Sequence, residues 1–99
     1  MKFEISEKAF EDIENIWLYT IESWSVEQAD RYFNLLLDEI EYITEHPLSE
    51  KNADHIRKNY RYTKVKSHLV FYRYKKSEKK VEIIRILHHS MDVEERMNE

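Results

Sequence analysis

Two periodicities divide the chain. Between Glu7 and Glu45 apolar residues recur every three or four positions, whereas from Tyr60 to Leu87 β-branched and aromatic residues dominate in short runs. After a brief β-like opening from Lys2 to Ile5, Ser6 is placed to cap a helix whose apolar stripe is Ala9, Phe10, Ile13, Ile16, Trp17 and Thr20. Trp24-Ser25 interrupts that stripe. Ser25-Val26-Glu27-Gln28 then has the spacing of a capping box, in which the Ser hydroxyl and the Gln side chain satisfy opposing amides. A second stripe follows at Ala29, Tyr32, Phe33, Leu36, Leu37, Ile40 and Ile43, and it ends at His46-Pro47, because the residue before proline is pushed out of the helical region. Two antiparallel amphipathic helices are predicted, with Trp17 and Trp24 in the core of the hairpin.

The second half predicts strands at Tyr60 to Val65, His68 to Tyr74 and Val81 to Leu87, joined by Lys66-Ser67 and by Lys75-Lys76-Ser77-Glu78. Ser90 is placed to cap a short closing helix to Arg96. With no glycine in the chain, Asn52, Asn59 and serines must serve the turns. The pieces assemble as an α+β domain in which the helical hairpin covers one face of a three- to four-stranded antiparallel sheet, with Lys2 to Ile5 as the fourth strand. Strict alternation sets Leu69, Phe71 and Arg73 against His68, Val70, Tyr72 and Tyr74, and Ile83, Arg85 and Leu87 against Ile84, Ile86 and His88. The face away from the helices is therefore expected to stay open, apolar and studded with arginine, as an interaction surface is.

Composition removes several chemistries. Without glycine neither a phosphate-binding loop nor a dinucleotide fingerprint can form, and without cysteine there is no disulfide, thiolate nucleophile or cysteine-held metal. No cofactor is expected. The longest apolar run is far short of a membrane span, and the N-terminus lacks a signal-peptide core, so a cytoplasmic protein of one domain, residues 1–99, is expected. The formal net charge of −4 conceals an uneven distribution, since residues 1–55 carry −10 and residues 56–99 carry +6. Between Ile56 and His89 eleven basic residues face two acidic ones. That segment predicts a basic surface fit for an acidic partner.

Arg57, Arg61, Arg73 and Arg85 sit among the predicted strands, where planar guanidinium forks could bind carboxylate or phosphate; a salt-bridged sheet face accounts for them equally. Tyr60, Tyr62, Tyr72 and Tyr74 suit either base stacking or cross-strand packing. His88 is a candidate for proton transfer, or else a hydrogen-bonded strand-end residue, while His88-His89 is a poor metal pair because neighbours on a strand point apart. Lys75, Lys76, Lys79 and Lys80 fit a solvated turn.

The ordered set Ala9, Ile13, Ile16, Tyr19, Trp24, Gln28-Ala29, Tyr32, Leu36, Ile40, Pro47, Arg57, Arg61, Val65, His68, Phe71-Tyr72-Arg73, Arg85-Ile86-Leu87-His88 and Met91-Asp92 resembles the ParE branch of the RelE/ParE toxin superfamily. Ser25 and Asn59-Tyr60 stand where relatives commonly carry glycine. The resemblance implies the toxin of a bacterial type II toxin–antitoxin system, neutralised by a ParD-like antitoxin whose disordered tail folds across it in a hetero-oligomer, and acting on DNA gyrase by binding. Taken with the basic, half-open sheet, it leads to target and antitoxin contacts expected on the sheet surface and the C-terminal segment, among Arg57, Arg61, Tyr72, Arg73, Arg85, Leu87, His88 and Met91. Two alternatives go with it: a RelE-type ribosome-dependent mRNA endonuclease using Arg61, Arg85 and His88, and an inactive toxin fold kept for antitoxin binding.

Overall fold

The structure, a computed structural model, describes residues 2–98; the ends of the expected 1–99 domain lie outside the described residues. Its elements run β1 (Lys2–Ile5), α1 (Glu7–Ser23), α2 (Val26–Glu45), β2 (Lys51–Asn52), β3 (Tyr60–Val65), β4 (His68–Lys75), β5 (Lys80–His88) and α3 (Val93–Met97). Both expected helices form with the expected serine caps. The Ser6 hydroxyl accepts from the Ala9 N–H at 3.0 Å and donates to the Ile84 carbonyl at 2.8 Å, so one side chain starts α1 and fastens it to β5. Ser25 accepts from the Gln28 N–H at 3.1 Å, but the reciprocal half of the capping box is not made, because Gln28 Oε1 accepts from Arg31 instead, at 3.2 Å. Asp92 rather than Ser90 caps α3.

The sheet has five strands in the order β1-β5-β4-β3-β2. It is mixed, not wholly antiparallel. β1 lies parallel to β5, with Phe3 opposite Val81 and Ile5 opposite Ile83, because α1 returns the chain over the sheet instead of turning back in a hairpin. The two-residue β2, which the periodicity does not reveal, pairs with Arg61 and Tyr62 of β3. Positive φ falls at Asn59 (72°), Lys66 (53°) and Lys79 (49°), so two lysines take left-handed positions that glycine would occupy more cheaply.

A bulge corrects the expected alternation. Phe71 pairs with Arg85 and Tyr72 with Ile83, leaving Ile84 as an extra residue in β5. Beyond it every side chain changes face relative to strict alternation. Ile83 and Ile86 therefore both join Val70, Tyr72 and Val81 in the core beneath the helices, with Ala9, Leu36, Ile40 and Ile43. The opposite face is not open either: Phe71 and Leu87 are buried there with Ala53, under Ile56, Tyr60, Val93 and Met97. The loop before β3 and the short α3 close that side. Full burial of two such side chains contributes about 1.5–3 kcal/mol each toward holding both covers in place.

Candidate functional site

With the far face covered, a large concavity lies at one end of the sheet. It runs beneath the tip of the helical hairpin, encloses about 1160 Å³, and is bounded by the flank of α1, the first half of α2, the β3–β4 turn and the end of β5. Its apolar wall carries Tyr19, Trp24, Leu35 and Met91, with Trp24 72% and Tyr19 67% exposed. The expectation that Trp24 belongs to the hairpin core is corrected here. At the helix C-cap, with φ −133° and ψ −90°, its side chain projects past the last turn rather than inward. Trp17 is also partly exposed, at the seam between α1 and α2.

The groove is basic: Lys8, Arg31, Lys66, Arg85 and Arg96 line it against Glu11 and Asp12. Arg85 is buried and held by a fork, its Nε donating to Asp12 Oδ2 at 2.8 Å and Nη2 to Oδ1 at 3.0 Å, while Nη1 donates to the Arg96 carbonyl at 2.7 Å. Asp12 also accepts the Ile86 N–H at 2.9 Å, where β5 continues past the end of β1 and has β4 on one side but no strand on the other. The pair ties α1, β5 and α3 into one groove wall.

Two histidines stand on the floor. Tyr32 donates its single proton to the Val65 carbonyl at 2.9 Å, so its short 2.5 Å contact to His68 Nδ1 is best satisfied with Nδ1 protonated and donating. Burial first, then the neighbouring His88 and His89, lower the His68 pKa to about 4, so the ring is neutral near pH 7. His88 Nδ1 accepts the Ser90 N–H at 3.1 Å, leaving its proton on Nε2. Its ring meets that of His68 edge to face, with centroids 5.3 Å apart.

The eight residues singled out from the sequence divide between two places. Arg85, Leu87, His88 and Met91 line the groove, Leu87 with little exposure because most of it lies in the second core. Arg57, Arg61, Tyr72 and Arg73 lie elsewhere. Arg57 packs over the Tyr60 ring at 5.8 Å, and Arg73 pairs across strands with Glu82 at 2.6 Å. Arg61 donates to the Glu50 carbonyl at 2.7 Å, and the fully buried Tyr72 donates to Pro47 at 3.1 Å, so both fasten the loop after α2. Burial holds the Tyr72 phenol far above its ordinary pKa. Lys75 and Lys80 are not simply solvated, since both pair with Glu4 and hold its carboxyl below the usual range. Among the described residues no group of three or more His, Asp or Glu could hold a metal ion. Arg61 is on β3, two strands from Arg85 and His88 on β5, so these three do not form one constellation.

The family model of the ParE toxin of the type II toxin–antitoxin system parDE matches residues 3–93. The chain belongs to the ParE toxin family. Toxin ParE1 of Caulobacter vibrioides is 41% identical over 90 residues, 91% of either chain, and toxin ParE1 of Mycobacterium tuberculosis 33% identical over 93 residues, 94% of either chain. A solved structure titled as the chromosomal ParDE system from P. aeruginosa shares the fold, with a TM-score of 0.76 over 89% of this chain and 95% of that one at 16% identity. This ParE-type toxin thus has the α+β fold expected from its sequence, with a large groove beneath the hairpin.

Proposed function

We propose that this ParE-type toxin arrests growth by binding its target, DNA gyrase, in the cytoplasm, and that a ParD-like antitoxin neutralises it by laying an acidic, amphipathic tail in the groove beneath the hairpin tip. The observation that carries the antitoxin half is the groove's composition. Exposed aromatic and aliphatic side chains, Trp24, Tyr19, Leu35 and Met91, stand beside Lys8, Arg31 and Lys66, which suits a helix with one apolar and one acidic face. Of the residues expected at the interface, Arg85, Leu87, His88 and Met91 line the groove, which supports a part for them, with Arg85 shaping the wall while bound to Asp12. Action by binding rather than catalysis is supported by the separation of Arg61 from Arg85 and His88, and by the commitment of both arginines to other partners. An endonuclease would need those cations on one phosphate and a base beside a ribose hydroxyl.

The test is expression of the chain alone and with the small protein encoded beside it, then supercoiling by gyrase in the presence of the freed toxin. Growth arrest relieved by the neighbour, with loss of supercoiling or a stabilised cleavage complex, is the expected result. Arrest with normal supercoiling would remove gyrase, and new mRNA 5′ ends that disappear in His88→Ala would replace binding by nuclease action.

A further inference from the structure

On its solvent side the hairpin carries a second apolar surface, separate from the groove. Phe10 (56% exposed) and Trp17 are seven residues apart on α1, and Val26 (54% exposed) and Phe33 are seven apart on α2, so each pair lies on one helix flank. Trp17 and Phe33 border the same interhelical crevice, which places the two flanks side by side as a seam. The crevice beneath them holds only about 10 Å³, so an occupant must lie along the seam instead of inserting into it.

Charge makes the seam specific. α1 and α2 carry eleven acidic side chains and only two basic ones, Lys8 and Arg31, and both basic ones line the groove. Beside the seam stand Glu14, one turn from both Phe10 and Trp17, and Asp30, one turn from both Val26 and Phe33. We infer that the seam docks a basic amphipathic helix of a protein partner, its apolar stripe on Phe10, Trp17, Val26 and Phe33 and its lysines or arginines on the flanking carboxylates. An acidic tail is repelled there and drawn to the groove. A second copy of the chain would set one acidic rim against another. The toxin can therefore hold two partners of opposite charge on two surfaces, and the seam does not depend on the antitoxin assignment for the groove.

The experiment uses the chain with Trp24→Phe, so that Trp17 reports on the seam, and two synthetic peptides of about 18 residues, each with leucines at i, i+3, i+4 and i+7, one filled with Lys and the other with Glu. The Lys peptide is expected to bind with a blue shift of Trp17 emission, and the Glu peptide at least tenfold more weakly. Phe33→Asp and Val26→Asp add negative charge yet should each weaken the Lys peptide at least tenfold. Val26 is the first residue of α2, where an acidic side chain favours the helix, so that variant stays folded. Leu35→Asp adds the same charge on the groove flank and should leave the affinity within about twofold. Equal or tighter binding by both seam variants would reduce the effect to bulk charge and overturn the inference. So would equal binding of the Glu peptide, or a dimer of the unmodified chain that Phe33→Asp dissolves.

Discussion

Asp12 has three acceptor duties at once: both its oxygens face the Arg85 guanidinium, and one also takes the Ile86 N–H. Removing it leaves a buried cation and an unpaired strand amide, so Asp12→Ala should cost about 3–5 kcal/mol, a large part of the ~5–15 kcal/mol that keeps such a domain folded. Urea denaturation measures it; a loss below about 1 kcal/mol would show that the pair is not needed for the fold. His68 gives a pH dependence whose sign follows from its partners. Its imidazole titrates at 6.5 in the unfolded chain and at about 4 in the fold, so the unfolded state binds more protons between those values. Stability is full above pH 6.5 and declines as pH falls toward 4. His68→Gln should flatten that part of the profile, whereas the acid limb from Glu4, whose folded pKa is lowered, remains below it. Equal urea midpoints for the native chain at pH 7 and pH 5 would refute the assignment. His68 stands within the family pattern, whereas nothing in the sequence singles out Asp12. Their roles were not legible, because an ion pair spanning 73 positions leaves no local pattern.

At the scale of elements, periodicity was a sound guide wherever one face is buried and continuous. α1 and α2 run as their stripes and serine caps required, and β3, β4 and β5 stand where aromatic and β-branched residues cluster. It failed where tertiary pairing decides. The bulge at Ile84 reverses the side-chain alternation, the parallel partnership of β1 needs knowledge of where α1 returns, and the second core gathers Ala53, Phe71, Leu87 and Val93 from four segments. The turns follow the absence of glycine: Asn59 was expected, but Lys66 and Lys79 were not, since nothing in a lysine marks positive φ. At Lys79 the left-handed backbone costs about 1–2 kcal/mol, against roughly 0.5–1 kcal/mol for the extra freedom of glycine in the unfolded chain. Lys79→Gly should thus gain about 0.5–1 kcal/mol, or roughly 2–8 °C in Tm. Lys80→Gly, next along the chain, should lower Tm by removing a strand residue and a partner of Glu4. A fall in Tm for both would show that Lys79 carries no such cost.

The whole molecule separates its charges, and this sets how an acidic tail finds it. The groove cations Arg31 and Lys66 stand by the hairpin tip and the β3–β4 turn, with Lys8 at the other end of α1, while Lys76 and Lys79 stand beyond the far ends of β4 and β5. β4 alone spans eight residues, about 26 Å at 3.3 Å each, more than twice the ~10 Å screening length at 0.1 M salt. Only the near cluster can steer an incoming tail into the groove. Stopped-flow fluorescence of Trp24 should therefore show antitoxin association slowing about tenfold or more between roughly 50 and 500 mM salt, with dissociation changing much less. Lys66→Glu should slow association about three- to tenfold at low salt, and Lys79→Glu by less than about twofold, although both change the net charge equally. Lysine and glutamate are equally disfavoured at the positive φ that each site imposes, so the comparison is matched in backbone cost. If the two variants slow association alike, net charge and not the placed cluster governs encounter; if neither does, the tail enters by its apolar face and the groove lysines act only after docking.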